Sequence, residues 1–302
     1  MSDISRWAVG SNQYMKRPGQ QKSAGHHRTE ANPPSLLPRQ SDRQLQEAAC
    51  AISWDTSALD FDSIQHSTVE RSRHRFRATL PDLVWNAARL EGNTFTLPEV
   101  RTLLEGVTVG GKRIEDANQV LALSEGYSRI DELVGAGAFE LSKPISDEVH
   151  SLVAVHEAIE SGHFRGEGQV SGGGSVHLSN GGSTPGFEHG LDGELLIARF
   201  ERTTDYLSDL DDPRERALAY FASATRQQFY FDGNKRTSRL MMSGELMMHG
   251  YDVVSVPARR QFEFNTSLDV LFSSNDATPL MAFLISCATA TEATQSSAEE
   301  DQ

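Results

Sequence analysis

Residues 228–239 of this 302-residue chain read QFYFDGNKRTSR and contain its most informative local pattern. An aromatic segment leads into Asp232-Gly233-Asn234, and a run with helical apolar spacing follows at once. The first turn of a helix exposes backbone N–H groups without intrahelical partners, which makes it a natural phosphate site. Gly233 allows a ligand to approach the backbone closely, and Asp232 supplies a hard oxygen ligand suited to Mg²⁺ that bridges phosphate oxygens.

The start of this predicted helix also carries three cations, Lys235, Arg236 and Arg239. Cations at a helix N-terminus are electrostatically unfavourable, so their presence indicates an anionic ligand. Arg236 and Arg239 are three residues apart, share one helix face and could both reach one polyphosphate. The alternative is an Asp-Gly turn that caps a helix which is basic for no functional reason.

This stretch resembles the motif of the Fic family, His-Pro-Phe-x-(Asp/Glu)-Gly-Asn-(Gly/Lys)-Arg-x-x-Arg. Tyr230 stands at the phenylalanine position, and the similarity continues along the helix to Gly250-Tyr251. The resemblance implies a mainly α-helical Fic (Fido) fold with a short β-hairpin flap. It also implies the activity of most members, transfer of AMP from ATP to a hydroxyl of a target protein. The matching positions are Asp232, Gly233, Asn234, Arg236 and Arg239.

The resemblance further assigns expected roles to these residues. Asp232 would bind Mg²⁺, the cofactor that accompanies ATP. The nucleotide-binding residues would be Gly233 and Asn234 at the α-phosphate, Arg236 and Arg239 at the outer phosphates, and Lys235 beside them.

Two departures from the family motif leave the activity open. Gln228 occupies the position of the catalytic histidine, and an amide cannot accept a proton near neutrality, whereas a positioned base contributes about 10²–10⁴ in rate. Phe229 replaces the usual proline. Lys235, where many members have glycine, is typical of the Doc-like branch, which transfers a terminal phosphate, although Arg239 favours the AMP-transfer orientation.

Three functional hypotheses therefore stay open at this point. The first is a working adenylyltransferase in which Gln228 only orients the hydroxyl. The second is a non-catalytic module that binds a nucleotide or a partner protein for regulation, and the third is a Doc-like phosphotransferase. Gln228 is compatible both with a natural variant and with a change introduced to disable the protein.

A second segment, residues 86–93, resembles the inhibitory helix of the family, (Ser/Thr)-x-x-x-Glu-(Gly/Asn). Ala87 occupies the Ser/Thr position. The resemblance implies that Glu91 pairs with Arg239 and denies ATP its productive γ-phosphate position. Without that resemblance, a carboxylate such as Glu91 near a helix end is more often simply solvated.

A glycine-rich tract over residues 163–182 fits the flap of the family, in which a hairpin edge pairs with the main chain of the target protein. The strand is predicted at Val176-His177-Leu178, where apolar and polar side chains alternate. The alternative is a flexible surface loop, which the glycine content also permits.

The remaining segments are predicted from composition and periodicity. Residues 1–45 are rich in Ser, Gln, Pro and Arg and are predicted to form a disordered basic arm. N-terminal helices, including the inhibitory-type helix at about 80–92, would fill residues 46–140. The Fido core would follow at 141–290, and an acidic tail at 291–302. Helical spacing is found over residues 114–135, 146–160, 191–208, 213–227, 236–249, 257–273 and 278–289.

Bulk properties narrow the class of protein. A formal net charge of −14 argues against a nucleic-acid binder, because phosphate contacts need clustered Lys and Arg. The two cysteines lack metal-ligand spacing, and no segment has the uninterrupted apolar length of a membrane span, so a cytoplasmic location is expected. His150 and His156 are interpreted as structural or surface histidines. The target protein stays unidentified, and a homodimer is compatible with the sequence.

Overall fold

The two helices on either side of the 228–239 stretch form the centre of the fold. The computed structural model describes residues 40–179 and 181–299. Every residue from Arg236 to Met247 in the second of these helices is buried, so that helix is surrounded by protein rather than lying on the surface. It packs against the preceding helix and against two helices from earlier in the chain.

In chain order, the helices and strands are as follows. The first six helices are α1 (Gln40–Cys50), α2 (Val69–Ala78), α3 (Leu80–Leu90), α4 (Leu97–Leu104), α5 (Ile114–Gly135) and α6 (Lys143–Val153). A hairpin of β1 (Val176–His177) and β2 (Ser183–Thr184) separates them from α7 (Glu194–Ser208), α8 (Pro213–Gln227), α9 (Asn234–Met248), α10 (Gln261–Ser274) and α11 (Thr278–Glu299).

Local chemistry explains where α8 and α9 begin and end. Asp212 caps α8, because its carboxylate accepts a hydrogen bond from the N–H of Arg214 at 2.8 Å, and Pro213 occupies the first turn. Gln228 ends α8 in the left-handed region, with φ of 52°. Gly233 takes the same region, with φ of 74°, immediately before α9. These two left-handed residues enclose a tight connection between two central helices.

The helix predicted over residues 114–135 is confirmed, and a helix also occupies most of the segment at about 80–92. The periodic residues 114–135 form α5, and α3 carries Pro81 in its first turn. Helix α3 ends just before Glu91, where Gly92 adopts φ of 87°. The short helix that the Thr96-Leu97-Pro98-Glu99 signal predicts is α4.

Several predicted boundaries are wrong. The segment predicted at 146–160 starts at Lys143, because Pro144 favours the first turn, and it ends at Val153. Helix α1 begins at Gln40, so the last residues of the predicted 1–45 arm are helical, while residues 1–39 lie outside the described part. Helix α11 continues to Glu299, so most of the predicted 291–302 tail extends a helix rather than following one.

The segments predicted as N-terminal helices and Fido core share one hydrophobic core. The described residues, 40–179 and 181–299, form a single unit, in which α5 packs against α3, α6 and α9. Buried side chains from residues 46–140 and 141–290 belong to one contiguous cluster. The predicted boundary near residue 140 is therefore not a boundary between separate cores.

Three aromatic rings hold the α8–α9 connection against this core. Phe229 stacks on Phe164 with ring centroids 4.9 Å apart and meets Phe200 edge-on at 5.3 Å. Phe164 and Phe200 are themselves 5.5 Å apart. Phe229 replaces the family proline, and its buried ring supplies the connection with an apolar anchor.

This cluster predicts a large stability loss on truncation. Phe200 is 1% exposed, so Phe200→Ala should lower the free energy of unfolding by about 3–5 kcal/mol. Phe262 is 83% exposed on α10, and Phe262→Ala should stay within about 0.5 kcal/mol of the unmodified protein. Urea denaturation followed by circular dichroism measures both. Equal losses in the two variants would contradict the anchoring role.

Candidate functional site

The connection between α8 and α9 is closed by one side chain, the amide of Asn234. Its Oδ1 accepts a hydrogen bond from the N–H of Tyr230 at 2.9 Å. Its Nδ2 donates to the carbonyl of Tyr230 at 2.8 Å and to Oε1 of Gln228 at 3.1 Å. Asn234, expected to contact a phosphate, therefore uses its side chain to shape the loop, which leaves the backbone N–H groups at the start of α9 to face a ligand.

Gln228 is held at both ends of its own amide. Its Nε2 donates to the carbonyl of Thr225 at 2.6 Å, while its Oε1 accepts from Asn234. The half-buried side chain is thus fixed in one orientation by hydrogen bonds within the loop. The position that carries a histidine in the family motif is occupied here by a group with a structural task.

His150 on α6 supports the same loop from the other side. Its Nδ1 accepts a hydrogen bond from the N–H of Gly162 at 2.8 Å, so the proton of the neutral ring lies on Nε2. Nε2 donates to the carbonyl of Asp232 at 2.9 Å, and the ring stacks on Tyr230 at 3.7 Å. The interpretation of His150 as structural agrees with this geometry, but its spacing in the sequence gives no signal that it touches the site.

Burial also sets the ionisation of the groups behind the loop. The imidazole of His150 is fully buried, and desolvation lowers its pKa to about 4. The hydroxyl of Tyr230 bonds Asp147 at 2.9 Å, and burial raises the pKa of Tyr230 well above its usual value. Burial raises the pKa of Asp147 as well, although Lys143 beside it favours the charged form.

The three cations of α9 have three different environments. Arg236 is buried and pairs with Glu157 on one side, while its Nη2 lies 3.5 Å from a carboxylate oxygen of Asp232. Lys235 is half-buried, with its Nζ 3.2 Å from Oε2 of Glu91. Arg239 is 3% exposed, and none of its three guanidinium nitrogens has a hydrogen-bond partner. Of the two buried arginines, only Arg239 is thus left without a hydrogen-bond partner.

Glu91 lies at this site, but the partner that the family resemblance predicts for it is wrong. Lys235 forms the ion pair, and Arg239 acts on Glu91 only through its charge at longer range. Burial by itself raises the pKa of Glu91, but Lys235, Arg239 and Arg236 outweigh it and hold that pKa below its ordinary value. Lys235, in the first turn of α9, reaches Oε2 of the Glu91 carboxylate. The other oxygen, Oε1, has no hydrogen bond.

A cavity of about 470 Å³ lies over the start of α9. Its walls are Glu91, the loop and helix start over 231–236, the hairpin segment 175–179 and the inner face of α10. This volume falls within the usual range for small-molecule sites. Its floor combines unpaired N–H groups with positive side chains, so the chemistry of the cavity suits an anion.

The predicted hairpin is confirmed and forms one wall of that cavity. Val176 pairs with Thr184 and His177 with Ser183, while the N–H of Leu178 donates to the carbonyl of Gly182 at 2.8 Å. Val176 and Leu178 are partly buried, whereas His177 is exposed. The alternation that indicated a strand therefore corresponds to one face on the protein and one face in solvent.

Two contacts fasten the hairpin to α10. The side chain and the N–H of Ser179 both donate to the carboxylate of Asp269. The hydroxyl of Thr184 donates to the carbonyl of Phe272 at 3.2 Å. The hairpin is thus docked against the helix that lines the cavity.

The carboxylate of Asp232 is the hard ligand nearest the start of α9. Its side chain is 63% exposed. Within residues 40–179 and 181–299, no group of three or more His, Cys, Asp or Glu side chains is placed to hold a metal. These residues fit a metal that takes most of its ligands from water and from a bound phosphate, as Mg²⁺ does.

Comparisons with known sequences connect this geometry with one group of proteins. No protein-family model matches the chain. The chain is 33% identical over 208 residues to "Protein adenylyltransferase Fic" of Drosophila erecta, a match that covers 68% of this chain and 39% of that protein. The protein of the same name from Drosophila melanogaster is 33% identical over 210 residues, with the same coverage. The chain therefore spans only 39% of the length of these curated relatives.

Comparisons with solved structures confirm the fold. A Fic-1 protein from C. elegans matches with a TM-score of 0.62 at 24% identity, over 86% of this chain and 73% of the other. A Fic domain containing signaling protein from Bacteroides thetaiotaomicron matches with a TM-score of 0.61 at 20% identity, over 76% and 89%. The mainly helical Fic fold with a short hairpin is the architecture that the sequence predicts. None of the described helices is long and apolar enough to cross a membrane.

The burial of His150 predicts a pH-dependent stability. Folding lowers the pKa of its imidazole from 6.5 to about 4, so the unfolded chain binds more protons between these values. The corresponding stability is complete above pH 6.5 and is lost as the pH falls toward 4, by roughly 3 kcal/mol. Urea denaturation across this range should show a shallower pH dependence in His150→Gln than in the unmodified protein.

The exposed imidazole of His177 offers a matched control for this measurement. His177→Gln should keep the full pH dependence of the unmodified protein. If the His150→Gln variant and the unmodified protein lose stability in parallel, His150 does not carry the effect.

Proposed function

We infer that this chain is a member of the Fic family, and from that premise we propose that it binds Mg-ATP at the start of α9. The proposed activity is that of a protein adenylyltransferase, limited by Gln228. The observation that carries the binding proposal is the buried guanidinium of Arg239, which has no hydrogen-bond partner. Its charge acts on Glu91, which lines the cavity. A buried charge left unsatisfied is costly, and a phosphate would satisfy it.

The proposed nucleotide site uses backbone and side chains together. The N–H groups at the first turn of α9 have no intrahelical partners and would receive the phosphates nearest the loop. Arg236 is already paired with Glu157, whereas Arg239 is unpaired, so Arg239 is the cation with donors to spare for an outer phosphate. Asp232 would hold Mg²⁺ together with phosphate oxygens, and the metal supplies neutralisation of their charge when bound.

Glu91 is proposed to restrain this site through Lys235 rather than through Arg239. The ion pair between Glu91 and Lys235 lies at the cavity wall. It engages Lys235, which is more accessible than Arg239. A polyphosphate that approaches α9 meets a carboxylate of like charge, which opposes its binding. Removal of the Glu91 carboxylate would therefore free Lys235 and remove a negative charge that opposes the phosphates.

For AMP transfer, the oxygen of a target hydroxyl forms a bond with the α-phosphorus. The bond from that phosphorus to the β-phosphate oxygen breaks, and pyrophosphate leaves. The hydroxyl proton must pass to a base, and because the Gln228 amide cannot accept it, another group or solvent would take it at a lower rate. The hairpin is proposed to hold the target segment along Val176-His177-Leu178 by main-chain pairing.

One observation favours a second candidate function, a nucleotide-binding module without transfer chemistry. Both ends of the Gln228 amide are bonded within the loop, to Thr225 and to Asn234. A side chain with this structural task is compatible with a protein in which the loop is kept for binding alone. Phosphotransfer of the Doc-like kind rests on Lys235 and is a third outcome of the same experiment. A cytoplasmic location and a homodimer stay predictions.

The nucleotide proposal predicts that a substitution of Arg239 weakens nucleotide binding without lowering the stability of the ligand-free protein. Because its guanidinium makes no hydrogen bond, Arg239→Met should leave the stability of the ligand-free protein unchanged or raise it. The same variant should weaken Mg-ATP binding by about 1.5–3 kcal/mol, the usual contribution of a charged hydrogen bond. Asp232→Ala should weaken it only when Mg²⁺ is present. Calorimetric titration and thermal unfolding measure the two quantities.

Arg101 on α4 provides a matched control, because it is an exposed arginine paired with Asp82 away from the cavity. Arg101→Met should bind Mg-ATP like the unmodified protein. Unchanged affinity in both Arg239→Met and Asp232→Ala would place the nucleotide elsewhere or exclude it.

The activity proposal is tested by restoring a base at position 228 in a chain freed from Glu91. The Gln228→His, Glu91→Gly double variant should transfer label from α-labelled ATP to itself or to lysate proteins, by about 10²-fold or more over Gln228→Ala, Glu91→Gly. Mg-ATP affinity should agree between the two within about a factor of three, since a lost base is a kinetic defect. Label from γ-labelled ATP alone selects phosphotransfer. Binding without transfer of either label selects the binding module.

A further inference from the structure

Arg165 is a buried arginine without an acidic partner. It is 1% exposed and follows α6 in the segment that leads toward the hairpin. Within the described part of the chain, no carboxylate lies at ion-pair distance from its guanidinium, and burial lowers its pKa. A charge in such a place must be compensated by dipoles, and the identity of those dipoles indicates the task of the residue.

The compensation comes from four backbone carbonyls. Nε donates to the carbonyl of Gln228 at 2.8 Å. Nη1 donates to those of Gly172 and Gly173, both at 3.0 Å, and Nη2 donates to that of Phe187 at 3.0 Å. The N–H of Arg165 itself also donates to the carbonyl of Phe229 at 2.8 Å. A single residue is therefore bonded to the loop at position 228 and to the hairpin segment.

Three of the four carbonyls that accept from the Arg165 guanidinium flank the hairpin, on both of its sides. Gly172 and Gly173 precede β1, and Phe187 follows β2. The segments before β1 and after β2 are here called the two limbs of the hairpin. They touch at a neck formed by Gly174 and Gly186, because a Cβ built on Gly186 would lie 2.7 Å from the carbonyl carbon of Gly174. A Cβ built on Gly174 would lie 2.5 Å from Cζ of Arg165, so glycine is required for the limbs to close around the guanidinium.

The limb that follows β2 also contacts helices α7 and α8 through Phe187. The ring of Phe187 lies 4.0 Å from Cζ of Arg199 on α7 and 4.9 Å from Cζ of Arg226 on α8. These contacts anchor Phe187 to the helical body while its carbonyl accepts from Arg165. The neck is thus held to the helical body through Phe187 and to the loop at Gln228 through the guanidinium of Arg165.

We infer that Arg165 is a positioning residue that fixes the hairpin at a set distance from the position of Gln228. It joins the segments on both sides of the hairpin to the loop through one planar group, so a movement of either is transmitted to the other. One part of the inference rests on the proposed function, namely that the hairpin holds a segment of a target protein near position 228. A lysine has a single nitrogen and cannot reach four carbonyls that lie in several directions, so the role needs a guanidinium.

The test is amide hydrogen exchange in the full chain, which requires no transfer activity. Arg165→Lys should raise exchange by about tenfold or more in two separate segments, residues 172–187 and 228–233. Gly174→Ala displaces the guanidinium without removing it and should raise exchange in the same two segments. Because Gly174 lies on a partly exposed loop, this second variant decides the matter if Arg165→Lys does not fold.

Arg216 supplies the matched control, since it is a largely buried, hydrogen-bonded arginine with 15% of its side chain exposed that lies near the opposite end of α8. Arg216→Lys should leave exchange in 172–187 and 228–233 unchanged after correction for global stability. Exchange that stays unchanged in both segments in Arg165→Lys and Gly174→Ala overturns the inference. So does an increase that Arg216→Lys reproduces in the same segments.

An activity readout extends the test if the Gln228→His, Glu91→Gly chain transfers AMP. In that background Arg165→Lys should lower kcat/KM for the protein target by about tenfold or more, with KM for ATP within about a factor of three. A merely structural role would alter both parameters together, and that result would overturn the positioning role. If no transfer occurs in that background, the proposed activity fails while the exchange result still decides the role of Arg165.

Discussion

Positive charge buried at the start of α9 is the constraint on which the rest of this structure depends. A helix N-terminus already carries a positive dipole end, and this one is surrounded by protein with two guanidinium groups and a lysine in its first turns. Glu157 neutralises Arg236, Glu91 neutralises Lys235, and Arg239 is left without a hydrogen bond. The carboxylate-bearing segments that surround α9 are therefore placed by charge as well as by apolar packing.

The loop that precedes α9 is short, and side chains on both sides of it hold its shape. Its left-handed residues, Gln228 and Gly233, turn the chain between two buried helices, and Asn234 closes the turn through its amide. His150 holds the carbonyl of Asp232 from behind. In this setting a glutamine at position 228 is structurally well accommodated, because both ends of its amide find partners in the loop. The loop is therefore fully formed with an amide at this position, so its shape does not depend on a histidine there.

The replacement of the family proline by Phe229 has a similar explanation. Its ring is buried between Phe164 and Phe200, so the loop gains an apolar anchor where proline would have restricted the backbone. The same region receives Arg165, whose N–H bonds the carbonyl of Phe229. Loop, aromatic cluster and hairpin neck therefore form one continuous structural unit beside the cavity.

The sequence by itself determined the elements that depend on local chemistry. It predicted the full extent of α5, the start of α9 after Asp-Gly-Asn, the hairpin at Val176 and the position of Glu91 at a helix end, because periodicity, capping and turn residues act over a few positions. Only the tertiary structure decided which cation Glu91 meets, how the Gln228 amide is oriented and what His150 and Arg165 do. The contacts of His150 and Arg165 join residues 82 and 63 positions apart, and no local pattern encodes which distant carbonyl a buried donor will reach. The Gln228 amide bonds nearby residues, but the left-handed turn that brings them together depends on the packing of α8 and α9.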